Sequence, residues 1–252
     1  MFDDHSLSSL AAIVSNCPTL SSLSLSRCNL TKTLFQSDRH MFSSAMKKSK
    51  LKHLDISHNN MMTTGLEILL SCLPSCLHHL DLTGCNLHST SSTEPMFTSL
   101  EQHCGQGTPD TDLSHLSLAS LSLSDTSVSQ LTPCLRYCGR LSVLDLDHNM
   151  VTVTGVVTLL DSLISHHVPL TKLRCGAAQS QSEQFWDDKT SVDDLVEKLE
   201  QLLNSNCSRL ELLVLPFHNI HSVHINKLWD KHYSSRSKRY CDGNGNALYC
   251  VQ

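Results

Sequence analysis

The eleven residues Leu51–Met61, LKHLDISHNNM, constrain the fold more than any other stretch. Apolar side chains fall at Leu51, Leu54 and Ile56, so their spacing changes from three to two within six residues. A helix repeats its apolar positions about every 3.6 residues and a half-buried strand about every two, and neither alone produces that change. A chain that turns a corner and then lays down a short strand does. On this reading the apolar side chains point inward, and Asn59 satisfies backbone groups as the chain leaves the strand. His53 and Asp55 face outward between them.

The same spacing recurs in seven segments: Leu20–Leu30, Leu51–Met61, Leu77–Leu87, Leu113–Leu123, Leu141–Val151, Leu170–Ser180 and Leu210–Ile220. Their starts step by 31, 26, 36, 28, 29 and 40 residues. Self-similarity at such a period is the mark of a solenoid. A unit near 28 residues leaves room for a strand, a turn and a full helix. That is the long, ribonuclease-inhibitor-like type of leucine-rich repeat. The predicted fold class is therefore α/β: a leucine-rich repeat solenoid, a horseshoe with a parallel concave sheet and outer helices. No such repeat buries its apolar face alone, so neighbours must stack.

The segments between strands read as helices. Thr64-Gly-Leu-Glu67 has the form of a capping box. Thr154–Ile164 is apolar on one face, and Ser191 is positioned to cap a helix built on Val192, Leu195, Val196, Leu199 and Leu202. In the fourth repeat Leu118 could also start the pattern, but Leu113 leaves a following helix, Ser127–Tyr137, of normal length. The organisation expected is residues 1–19 as the helix of a truncated preceding repeat, 20–232 as about seven repeats, and 233–252 as a C-terminal capping hairpin. Asp242-Gly243 and Asn244-Gly245 are its turn signals. The loops His88–Asp112 and Gly176–Thr190 stretch two repeats; Phe185 and Trp186 in the second either cover the next helix or await a partner.

Composition narrows function. With a net charge of −5 the chain lacks the basic balance of a general nucleic-acid binder. The start is not a secretory signal, and no apolar run approaches the ~18 residues of a membrane span, so a soluble intracellular protein with no membrane partner is expected. Twelve cysteines are placed by repeat phase: Cys17, Cys138 and Cys207 each precede a first leucine by three residues, and Cys28 and Cys85 take the position of Asn59. They read as small buried thiols. The chain has no glycine-rich phosphate loop, nucleophile elbow or zinc-ligand spacing, so neither an enzyme nor a cofactor is expected.

The candidate binding residues are those between the leucines. The third position of each repeat is Ser22, His53, His79, His115, Val143, Lys172 and Leu212; the fifth is Ser24, Asp55, Asp81, Ser117, Asp145, Arg174 and Val214. Neighbouring strands lie about 4.8 Å apart, so these residues should form columns. Three histidines beside carboxylates invite a metal reading, but a flat column diverges and does not converge on a tetrahedral centre. A hydrogen-bonded polar face for a protein partner fits better, built from His53, Asp55, His79, Asp81, His115, Asp145, Lys172 and Arg174. At its far end Leu212, Val214 and Phe217 form an apolar patch, either an interface or a surface covered by the terminal cap.

With the repeats laid out, the chain resembles the C-terminal leucine-rich region of the tonsoku-like proteins. The resemblance is carried by Asn16–Leu30 (NCPTLSSLSLSRCNL), Leu34–Asn59, Leu73–Leu82 (LPSCLHHLDL), Glu94–Leu100 (EPMFTSL), Cys134–Asn149 and the basic-plus-hairpin tail, in that order. It implies a scaffold for homologous recombination at damaged replication forks, in the nucleus, binding the family's large methyl-methanesulfonate-sensitivity partner. Histone reading in that family belongs to tetratricopeptide and ankyrin repeats, which this sequence does not contain, and no direct nucleic-acid contact is implied. The alternative is another leucine-rich-repeat adaptor, such as an enzyme inhibitor or a ubiquitin-ligase substrate receptor.

Overall fold

A computed structural model of the chain describes residues 6–31, 39–87, 92–105, 112–176, 189–205, 210–215, 222–233, 237–241 and 247–251. Helices and strands alternate along it: α1 (Ser6–Asn16), β1 (Ser22–Ser24), α2 (Arg39–Lys48), β2 (His53–Asp55), α3 (Met62–Leu70) and β3 (His79–Asp81). Next come α4 (Glu94–Gly105), β4 (His115–Ser117), α5 (Asp125–Leu135), β5 (Val143–Asp145), α6 (Val153–Ser165) and β6 (Lys172–Arg174). Then follow α7 (Lys189–Asn204), β7 (Leu212–Leu215), α8 (Ser222–Tyr233), β8 (Ser237–Cys241) and β9 (Ala247–Val251).

The sheet runs in the order β1-β2-β3-β4-β5-β6-β7-β9-β8. The first seven strands are parallel, and each pairs in register with the next. Strand β9 is antiparallel to both β7 and β8. Strand β9 thus lies on the outer edge of β7 and satisfies its backbone groups. The turn itself, Asp242–Asn246, is outside the described residues.

The repeat spacing builds this architecture directly. Leu51, Leu54, Ile56 and Met61 are each no more than 1% exposed, and their counterparts in the other repeats join them in one core between sheet and helices. Burying each such side chain contributes about 1.5–3 kcal/mol, so four or more per repeat dominate the stability. On the outer layer α1 packs on α2, and α3 to α8 each pack on the next. Asn59 closes the turn as expected. Its Oδ1 accepts the Leu30 amide at 2.9 Å, and its Nδ2 reaches the carbonyls of Ile56 (2.7 Å) and Leu25 (2.9 Å). Asn149 repeats the arrangement with Leu121 and Leu123 above and Leu118 and Leu146 below.

Several local expectations are corrected. Helix α3 begins at Met62, two residues before the supposed cap Thr64, and shows no side-chain capping bond. The turn closed by Asn59 leads straight into the helix and leaves no residue free to cap it. Helix α5 likewise starts at Asp125, and α7 starts at Lys189 with Ser191 inside it. The fourth repeat takes the Leu113 register, with β4 at His115–Ser117. Cys85 and Cys138 are buried as expected, Cys28 is half-buried, and Cys17 is exposed. Cys17 lies beside β1, the first strand, which has no neighbour on its outer side among the described residues.

Candidate protein-binding face

The third and fifth positions of the repeats stand in register across the sheet, His53 beside His79 beside His115 and Asp55 beside Asp81. The His53 and His79 rings lie 6.0 Å apart between centroids, tilted by 39°. Those of His79 and His115 are 5.3 Å apart and stacked at 29°. The imidazoles therefore form a stack along the solenoid axis. Among the described residues no group of three or more His, Cys, Asp or Glu side chains is placed to hold a metal ion. Ser114 Oγ lies 2.8 Å from His115 Nδ1 and fixes that ring. Burial first, then the neighbouring His79, Lys172 and His53, hold His115 below its ordinary pKa, so it stays neutral at the stack's inner end.

The aspartates have a second task that the column pattern does not reveal. Asp55 Oδ1 accepts the Ser57 amide at 2.9 Å, Asp81 Oδ1 the Thr83 amide at 2.8 Å, and Asp145 Oδ1 the Asp147 amide at 2.9 Å. Each carboxylate folds the turn that follows its own strand, an Asx-type local bond. Asp55 Oδ2 also accepts the Ser24 hydroxyl at 2.8 Å from the preceding strand. Burial pushes the Asp55 carboxyl up, but bonds from Ser57 and Ser24 and the nearby His79 outweigh it and hold it below its usual range.

At β5 and β6 the charges are matched within the chain. Arg174 Nε lies 2.6 Å from Asp147 Oδ2 and 3.2 Å from Asp145 Oδ2, and its Nη2 also pairs with Asp147. Asp147, only 4% exposed, takes the Gly176 amide on its other oxygen at 2.7 Å. Burial and then the Asp147 carboxylate push Asp145 above its ordinary range, and the pull of the Asp147 amide and Arg174 is too weak to reverse this. Arg174 is thus held within the chain, closest to Asp147 and also against Asp145. Asp147 is the functional neighbour that the third-and-fifth-position reading missed; the signal was Asp-x-Asp at 145–147 with an arginine one repeat later in the same phase.

At the apolar end Val214 is 1% exposed and Leu212 half-buried, with β9 paired along their strand, so Val214 is closed to a partner. Phe217 lies outside the described residues, as do Phe185 and Trp186. Lys172 is exposed beside Val143. The polar positions left open are therefore Ser22, Ser24, His53, Asp55, His79, Asp81, His115 and Ser117 on β1–β4, with Lys172 alone on β6.

A parallel sheet whose open face carries polar side chains in columns, backed by one helix per repeat, defines a leucine-rich-repeat protein-interaction scaffold. The sequence profile of the Leucine Rich Repeat family matches residues 50–73. The tonsoku-like protein of Danio rerio is 35% identical over 205 residues, 80% of this chain and 14% of that protein. Those of Mus musculus (30% over 187 residues) and Bos taurus (33% over 159) cover 71% and 61% of this chain and 13% and 11% of their own lengths. Over this leucine-rich-repeat region the chain belongs to the tonsoku-like family, and it spans about a seventh of the length of those relatives. Among solved structures, the tropomodulin C-terminal domain of Caenorhabditis elegans matches with a TM-score of 0.46 and 15% identity, over 68% of this chain and 93% of that one.

Proposed function

We propose that the β1–β4 concave face is the partner-binding surface of a non-catalytic scaffold acting in the nucleus, in repair of replication forks by homologous recombination. Its partner is the large methyl-methanesulfonate-sensitivity protein of the tonsoku-like family, held by protein contacts and not through DNA or histones. The supporting observation is the in-register array of exposed His53 and half-buried His79, His115, Asp55 and Asp81, while Asp145 and Asp147 are paired with Arg174 within the chain. Family membership supports the biological setting.

The test removes charge without removing the turn. Asp55→Asn with Asp81→Asn retains a carbonyl oxygen for the Ser57 and Thr83 amides. The double variant should keep its melting temperature within a few degrees and capture the partner at least tenfold less well in a pull-down, the effect of losing two charge-assisted contacts. Capture at the wild-type level would remove the concave face from the reading.

A further inference from the structure

One carboxylate slot on the sheet is filled from within the chain, and an equivalent one is open. Beside Asp145 on β5 the next strand places Arg174, whose guanidinium reaches Asp145 and Asp147. Beside Asp81 on β3 the same register places Ser117, whose hydroxyl pairs with Thr83 Oγ1 at 2.7 Å. Asp81 has the same turn bond as Asp145, and on its other side stands the carboxylate of Asp55. The serine side chain ends at Oγ and leaves unfilled the volume that the outer part of an arginine side chain takes at this position. Two residues back on the same strand, His79 presents one of the stacked imidazoles.

We infer that the Asp55–Asp81 pair receives an arginine side chain of the partner, its guanidinium taking the place beside Asp81 that Arg174 takes beside Asp145. This rests on the concave face being the partner surface. Arginine fits better than lysine because a planar fork both pairs with carboxylates and lies against flat rings, as the His53–His79–His115 stack invites, whereas an ammonium is a point charge. Adjacent strands about 4.8 Å apart put the two carboxylates within reach of one guanidinium. Arg174 shows that a guanidinium on the neighbouring strand reaches the fifth-position carboxylate; there Asp147 supplies the second carboxylate, whereas beside Asp81 the second is Asp55 on the adjacent strand.

The experiment titrates the 252-residue chain with acetyl-Arg-Arg-amide and acetyl-Lys-Lys-amide, followed by backbone amide NMR shifts. The diarginine peptide should move signals clustered on β2–β4, and the dilysine peptide should bind there at least threefold more weakly. Ser117→Arg supplies the guanidinium in cis. It should leave the melting temperature equal or higher, abolish the β2–β4 shifts, and reduce partner capture about tenfold. Asp81→Asn provides the same readout should Ser117→Arg fail to fold. Shifts spread evenly over the acidic surface, equal binding of the two peptides, or shifts that survive in Ser117→Arg and Asp81→Asn would overturn the inference. Capture lost in the double asparagine variant but intact in Ser117→Arg would overturn the arginine slot while leaving the face in place; capture intact in both would overturn the face.

Discussion

A single amide side chain at the ninth position of a repeat replaces the backbone partners that a turn lacks. Asn149 Oδ1 accepts two amides and its Nδ2 serves two carbonyls, all within the buried interior. Asn149→Ala strands four polar groups and should cost about 2–4 kcal/mol in urea unfolding. This role was legible in the sequence because asparagine recurs in phase. The aspartates were legible only in part: position gave their face, but burial and neighbours decide their energetics, and those come from other repeats. Asp55 and Asp145 share a repeat position yet should act with opposite sign. The Asp55 pKa is depressed, so its ionised form adds stability above the ordinary carboxylate range near 3.8, and that stability is lost as pH falls through the folded value. Asp55→Asn should therefore lower the urea midpoint at pH 7 and leave it unchanged in acid. The Asp145 pKa is raised, so ionisation subtracts stability as pH rises through the carboxylate range, and Asp145→Asn should hold or raise the midpoint at pH 7. Asp147→Asn should lower it, because the partly buried Arg174 loses its closest charge.

At the scale of elements, successive repeats are joined through helix starts as well as through the sheet. Asp125, at the first turn of α5, accepts the Thr152 amide at 2.8 Å and the Thr152 hydroxyl at 2.5 Å, and Thr152 is the residue that opens α6. Gly155 makes room for this contact: a Cβ there would come within 2.2 Å of Asp125 Oδ1 and 2.8 Å of Val151 Cγ1. Helix propensity favours alanine over glycine by about 1 kcal/mol, but the clash displaces a carboxylate held by two bonds, which outweighs it. Gly155→Ala should lower stability by about 1–2 kcal/mol, and in the Asp125→Ala background the same change should cost less or become favourable, a coupling that a double-mutant cycle measures. The sequence located these helices by their apolar faces and placed the starts of α3, α5 and α7 two to three residues late. Capping boxes are local signals, whereas α3 follows the turn closed by Asn59 and α6 opens at a threonine held by a carboxylate about one repeat away. A contact between residues 27 apart leaves no periodic trace.

For the whole molecule, the repeat period predicted seven parallel strands because stacking is the only way such units bury their leucines. It did not predict which end of the concave face is open. That depends on the burial of Val214 and on Arg174 turning toward Asp147, contacts specified by residues outside the leucine pattern. The C-terminal hairpin supplies two separable kinds of stabilisation. Strand β9 satisfies the outer backbone edge of β7, and Tyr249 packs its ring 5.5 Å from Trp229, which lies 4.5 Å from Tyr233. Tyr249 is 1% exposed, and truncating so large a buried side chain costs about 3–5 kcal/mol. Tyr249→Ala should thus lower the melting temperature while the chain stays monomeric in light scattering, since β7 keeps its backbone partner. A chain ending at Tyr233 should lose comparable stability and also associate as concentration rises, because β7 would present unpaired amides and carbonyls on a hydrophobic strand, Leu212–Leu215. If the shortened chain remained monomeric across the range, the hairpin would act through its side chains alone, and covering the β7 edge would not be what it contributes.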